Sequence, residues 1–264
     1  MGEIIVVSIN KGGVGKTSLI SNLSGAVAKD MKKRILLVDT DGQGNLSLVF
    51  GKNQNEYENT LYDVLTGNCD AKDAIVKLDY GMELLPANGD MNFWEFEVLK
   101  NWTDYTDPFK LLKDVLEPLR DSYDYIFIDT PPSIGLITGN ALVASDKVLI
   151  PFVPETLVVN GLLRIIENIE DFKERYNPSL TIMGVVGMMV RGNTVLHSDL
   201  LPKARQYCAS KNIKLFDTVI TDSIRFANAT ENDGIPAVWT ASKDKIVMNY
   251  YELMKEMFEH VKQH

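Results

Sequence analysis

Lys11-Gly12-Gly13-Val14-Gly15-Lys16-Thr17 follows the apolar run Ile4-Ile5-Val6-Val7-Ser8-Ile9 and opens a segment with helical character. The order is strand, glycine-rich loop, helix. Glycines remove side chains, so successive backbone N–H groups can wrap a chain of phosphates. The start of the following helix adds more donors and a partial positive charge. Lys16 stands where a lysine reaches the outer phosphates, Thr17 where a hydroxyl binds Mg²⁺, and Ser18 completes the nucleotide-binding set. The usual loop pattern begins with a glycine five residues before Gly15; that position is Asn10, and a second lysine, Lys11, stands beside it. Two glycines alone can form a plain turn, but the strand before and the helix after favour a phosphate loop.

Outward from the loop, a helix over 17–30 leads to a second apolar run at 34–39. Further strand candidates are 82–85, 125–129, 147–151 and 181–189, with late short ones at 214–216 and 219–220. Helical patterns cover 109–120, 158–176, 196–211 and 246–262. Continuous apolar strands alternating with helices predict an α/β fold, a doubly wound and mostly parallel sheet flanked by helices. No Gly-, Ser- or Pro-rich linker interrupts the pattern, so 1–264 reads as a single domain. The least regular stretch, 52–105, is expected to lay helices over one sheet edge, with Phe93, Trp94, Phe96 and Trp102 in the core.

In doubly wound sheets, ligands bind beyond the carboxyl ends of the strands. Asp39 and Asp129 both fall where an apolar strand stops. Asp129 heads Asp129-Thr130-Pro131-Pro132 and fits a carboxylate that holds a water on Mg²⁺ or orients Thr17. A helix cap is the weaker reading, because the two prolines forbid an immediate helix start. Asp39-Thr40-Asp41-Gly42-Gln43-Gly44-Asn45 offers two carboxylates directly after a strand. One can face the metal while the other holds a water in line with the terminal phosphate. A polar turn is the bland alternative for this stretch taken alone.

Composition bounds the rest. Hydrophobic residues make up 45% and charged residues 24%, and the net charge is −9. A broadly basic, DNA-coating surface is therefore excluded, and any nucleic-acid contact must be local. Cys69 and Cys208 are the only cysteines, too few for a disulfide framework or a dedicated iron–sulfur site, which fits a reducing cytoplasm. No apolar run is long enough to span a bilayer, and the N-terminus has no signal-peptide pattern.

The loop resembles the deviant Walker A motif, Lys-Gly-Gly-x-Gly-Lys-Thr, of the ParA/Soj partition ATPases and MinD. The 39–45 segment is similar to their Asp-x-Asp-Pro-Gln-Gly-Asn, with Gly42 in place of proline, and 129–133 resembles their Asp-x-Pro-Pro-Ser. Asn140, Ala141, Leu142, Ala144, Asp146, Pro151, Glu155 and Gly161 follow the family spacing. The resemblance implies ATP and Mg²⁺ as cofactors and a homodimer that sandwiches ATP. Lys11 would reach the partner's phosphates, and Asp41 would position the attacking water. Lys16 and Thr17 would act within their own subunit, Gly12 to Gly15 would supply backbone donors, and Asp39 would lie near the metal with Thr17 and Asp129. Met189, Thr221 and Asp222 are candidates to flank the adenine.

The implied role is plasmid or chromosome partitioning. The ATP dimer would bind nonspecific DNA, and a centromere-binding adaptor would stimulate a slow hydrolysis. The chain opens on the phosphate-loop strand, as in the short form without an N-terminal helix-turn-helix. Departures weaken the DNA reading. Asn193 replaces a family arginine, and Ile-Thr-Asp-Ser at 220–223 replaces Ile-Pro-Arg-Asn. Candidate phosphate contacts are Arg191, Lys203, Arg205, Lys211, Arg225, Lys243 and Lys245, although any single one of them reads better as solvated surface charge. One alternative is a MinD-like membrane-surface switch, for which the acidic last helix is poorly suited, so no membrane partner is expected. Another is an ATPase accessory to conjugation or replication.

Overall fold

The computed structural model describes the chain except residues 10, 134, 155–157, 192–194, 224–225, 227–228, 230–233, 241–242 and 262–264, and except the side chains of 158–160, 195–198 and 261. Asn10, Glu155, Asn193 and Arg225 therefore lie outside the described residues. Among the described residues the sheet has eight strands: β1 Glu3–Val7, β2 Ile35–Asp39, β3 Val76–Lys77, β4 Met82–Leu85, β5 Tyr125–Asp129, β6 Lys147–Phe152, β7 Thr181–Val190 and β8 Leu215–Thr221. Their order is β3-β4-β2-β5-β1-β6-β7-β8, and only the β3–β4 pair is antiparallel. β2 is buried along its whole length, as its unbroken apolar sequence requires of a strand covered on both faces.

Among the described residues the α-helices are α1 Lys16–Met31, α2 Asn45–Val49, α3 Leu61–Leu65, α4 Ala71–Ala74, α5 Met91–Lys100, α6 Leu111–Leu116, α7 Leu136–Ala144, α8 Val158–Tyr176, α9 Val195–Ser210, α10 Ala237–Thr240 and α11 Lys245–Val261. From β1 the chain runs one way to β2 and later returns past it from β5 to β6. Right-handed crossovers place the connecting helices α1 and α7 on opposite faces. α1 carries α10 and α11 beside it, while α6, α7, α8 and α9 follow one another in contact. α1 is buried from Leu19 to Ala28. Its small residues allow that: Ser24 returns its hydroxyl to the Ile20 carbonyl (2.6 Å), and a Cβ at Gly25 would meet Val238 and Trp239 at about 3 Å.

Several expectations are corrected. The two late strands are one strand, β8, which crosses a register shift against β7 at Asp217 and Thr218, whose N–H groups donate to Glu256 instead. The helix expected over 109–120 is only α6, since Pro118 starts a tighter 3₁₀ stretch at Glu117–Ser122. Of the aromatics assigned to the core, only Trp94 is there. Phe93, Phe96 and Trp102 are exposed on and just beyond α5. The last helix buries Val247, Tyr250, Tyr251, Leu253, Met254 and Met257, so its apolar face is spent on the core. No helix among the described residues is long and apolar enough to cross a membrane.

Candidate functional site

The phosphate loop leaves β1 and enters α1 with Gly13 at φ +70° and Gly15 at φ +79°, a left-handed backbone that residues with a Cβ rarely adopt. Val14 between them turns its side chain into the core and so anchors the loop. Lys11, Gly12 and Gly13 stay exposed. Gly12 to Ser18 line a trough of about 410 Å³ with Asp41, Gln43, Asn45, Leu48, Val49 and Pro132. Lys16 is buried there, and its ammonium donates to the Lys11 carbonyl at 3.4 Å. Burial pushes the Lys16 pKa down, while Asp129 and Asp41 pull it back up.

Register brings the carboxylates together. Asp39 on β2 is the direct partner of Asp129 on β5, and Asp129 is also opposite Val7, the last residue of β1. Thr40 donates through both its N–H (3.0 Å) and its hydroxyl (2.7 Å) to the Asp129 carbonyl, which locks the strand ends. The Thr17 hydroxyl donates to Asp129 Oδ2 at 2.6 Å. Asp129 Oδ1 is buried with no hydrogen-bond partner. A buried carboxylate oxygen without a donor is costly, and a hard cation beside Thr17 is the chemistry that satisfies it. The residues therefore fit Mg²⁺.

Asp39 is fully buried. Its two oxygens accept the N–H groups of Asp41 (3.0 Å) and Leu46 (3.2 Å), so it braces the loop that carries Asp41. Asp41 is half-buried in the trough wall, and its Oδ1 accepts the Gln43 N–H at 2.9 Å. At Gly42 an added Cβ would fall 2.6–2.8 Å from the Asn92 side-chain amide, which would have to move.

Burial raises both carboxylates, and Asp129 raises Asp39 further; Asp129 is pushed up to about 7, with the Thr17 hydroxyl and Lys16 pulling the other way. Without a cation the folded protein thus holds a proton that the unfolded chain, near its ordinary value of 3.8, gives up. That contribution to stability is complete below pH 4 and is lost as pH rises through about 7. In chelator, the melting temperature is expected to fall between pH 5.5 and 8, and Asp129→Asn is expected to make that slope shallower, leaving the part that belongs to Asp39. Mg²⁺ should rescue the parent at pH 8 but not the variant. Parallel melting curves for the two proteins would reject this account.

A second cavity of about 540 Å³ adjoins the trough and shares Gly15, Ser18 and Val49 with it. Its wall also includes Met188, Met189, Thr221, Asp222, Phe226 and Tyr250, so the three residues expected at the adenine all border one cavity. Met189 sits at φ +52°. Tyr250 escaped the sequence reading. It is fully buried, and its hydroxyl lies 3.3 Å from Ser18 Oγ. No short-range pattern marks it, because it reaches the site from the last helix. Asp222 also pairs with Arg191, at 2.7 and 2.8 Å.

The DNA candidates divide. Arg205 is tied to Asp217 and to the Leu215 carbonyl, and Arg191 to Asp222, so both guanidinium groups already meet carboxylates. Lys203, Lys211, Lys243 and Lys245 are exposed. Asn140 and Asp146 are structural: the Asn140 side chain bonds the backbone of Leu112, Pro108 and Leu136, and Asp146 accepts from the Ile4 N–H and from Arg120.

Residues 2–182 match the AAA_31 family, described as an AAA domain. The sporulation initiation inhibitor protein Soj of Bacillus subtilis is 33% identical over 258 residues, covering 97% of this chain and 98% of Soj. The chromosome partitioning protein ParA of Caulobacter vibrioides is 34% identical over 230 residues, covering 86% of this chain and 83% of that protein. Among solved structures, cobyrinic acid a,c-diamide synthase from Mycobacterium smegmatis, with bound ADP and magnesium, superposes with a TM-score of 0.83 at 28% identity, covering 99% of this chain and 96% of that one.

Proposed function

The chain belongs to the ParA/Soj-type partition ATPases, and on that premise we propose that it is an ATP-driven dimerising switch for segregating a plasmid or a chromosome. ATP and Mg²⁺ are its working ligands. The observation that carries this reading is the orphaned Asp129 oxygen beside Thr17, in the wall of a trough that also holds Lys16 and Asp41. The loop N–H groups and Lys16 hold the phosphates, Thr17 and Asp129 hold the cation, and Asp41 orients the attacking water. Held there, Mg²⁺ would supply positive charge that offsets the negative charge of the phosphates. Lys11, exposed at the start of the loop, serves the neighbouring subunit's phosphates in the closed dimer, as an arginine finger would.

In this reading the ATP dimer binds nonspecific DNA through local lysines, and a centromere-binding adaptor speeds hydrolysis and resets the switch. Lys203, Lys211, Lys243 and Lys245 are the better phosphate contacts, since Arg191 and Arg205 are already paired. The test is a duplex-binding titration in rising salt, with ATP, with ADP and without nucleotide. Binding is expected only with ATP, with affinity falling steeply between 50 and 200 mM salt, by roughly tenfold or more if a few phosphates are contacted. Binding that ignores nucleotide, or its absence with ATP, would remove the DNA arm. The MinD-like alternative loses ground because the face of α11 that would enter a membrane is packed on the core.

A further inference from the structure

We infer that the exposed apolar face of α5 is covered by a second copy of this chain when the nucleotide-bound dimer closes; the inference rests on the dimerising-switch reading above. Phe93 is 63% exposed, Phe96 72% and Leu99 52%, on a helix whose opposite side buries Met91, Trp94 and Val98. Monomers rarely leave large apolar side chains clustered in this way without a use for them.

The position of the helix names the occupant. Asn92 packs against Gly42, next to Asp41, and Glu95 packs against Gly135, in the segment that follows Asp129. α5 therefore leans on both loops that carry the site's carboxylates. At 100° per residue, Asn92 and Glu95 mark one flank with Leu99 between them, and Phe96 and then Phe93 come next around the helix on the solvent side. The apolar face is thus continuous with the rim of the phosphate trough, where Leu48 is also exposed. Glu97 lies on the far flank, with the Tyr62 hydroxyl donating to it at 2.8 Å, so its charge does not obstruct an approaching copy.

The area argues for a conditional contact. Three side chains of this size at these exposures offer roughly 300–400 Å² per copy. A stable interface needs about 800 Å² per partner. The face alone is too small to hold two copies together. Added to a nucleotide-filled trough that the two copies share, it becomes a substantial part of a sufficient contact, which is what a switch governed by ATP requires.

The test uses the full chain with Mg²⁺ and a non-hydrolysable ATP analogue, read by sedimentation velocity over a concentration series. Phe93→Ser/Phe96→Ser is expected to raise the dimer dissociation constant at least about tenfold. Nucleotide affinity of the dilute monomer should stay at the parent's value. Phe93→Leu/Phe96→Leu, which keeps apolar surface, should recover most of the loss. Parent-like dimerisation of the serine variant overturns the inference and leaves the ATP-switch reading intact. A parent that remains monomeric with the analogue overturns both.

Discussion

Asp41→Ala is expected to lower ATP turnover by roughly 10²–10⁴-fold while leaving nucleotide affinity close to the parent's. The loop supplies the reason. Asp39 holds it through the N–H groups of Asp41 and Leu46, and alanine keeps the first of these as well as the second. The backbone should therefore survive the change. What disappears is a carboxylate in the trough wall, already oriented by the Gln43 N–H. In the proposed arrangement the phosphate and Mg²⁺ contacts belong to other residues, so the variant should fill its site and stall. Rapid-quench phosphate release should show the lost chemical step, and sizing with ATP should show a dimer that persists. Turnover close to the parent's would take the water-orienting role away from Asp41.

Lys11→Ala should do the reverse. Monomeric nucleotide binding should remain, while ATP-dependent dimerisation is lost and turnover falls by about 10³-fold, the range associated with a charge supplied in trans. The contact Lys11 makes to its own subunit's Lys16 runs through its backbone carbonyl, which alanine retains. Its side chain belongs to an exposed residue at the start of the loop, outside the buried stretch that holds Val14 and Lys16. Fluorescent-nucleotide titration, light scattering with ATP and steady-state turnover together separate the two roles. A variant that dimerises and turns over like the parent would end the proposal that this lysine serves its neighbour. The pair is informative because the expected defects differ: Asp41→Ala closes and cannot reset, while Lys11→Ala cannot close.

The departures from the family pattern read differently in three dimensions. Gly42 looked like a lost proline, yet Asn92 occupies the space that a side chain would need. Arg191, one of the candidate DNA contacts, pairs with Asp222 in the wall of the second cavity. The aromatics of 93–102 show the limit of composition-based reasoning most plainly. Large apolar residues are usually core, but only one of every few on a helix can face inward, and a run of Phe-Trp-Glu-Phe cannot bury all its rings on one side.

The linear chain by itself determined the phosphate loop, the parallel α/β architecture and the carboxylates at strand ends. These depend on local chemistry: glycines where backbone must wrap an anion, unbroken apolar runs where a strand is covered on both faces, an acid where such a run stops. Only the tertiary structure decided which groups meet. The register of β2 on β5 sets Asp39 opposite Asp129, the last helix carries Tyr250 to Ser18, and the lean of α5 turns Phe93 and Phe96 outward. Those contacts join residues tens to hundreds of positions apart, and no periodicity in the sequence encodes which strands become neighbours or which face of a short helix finds a partner.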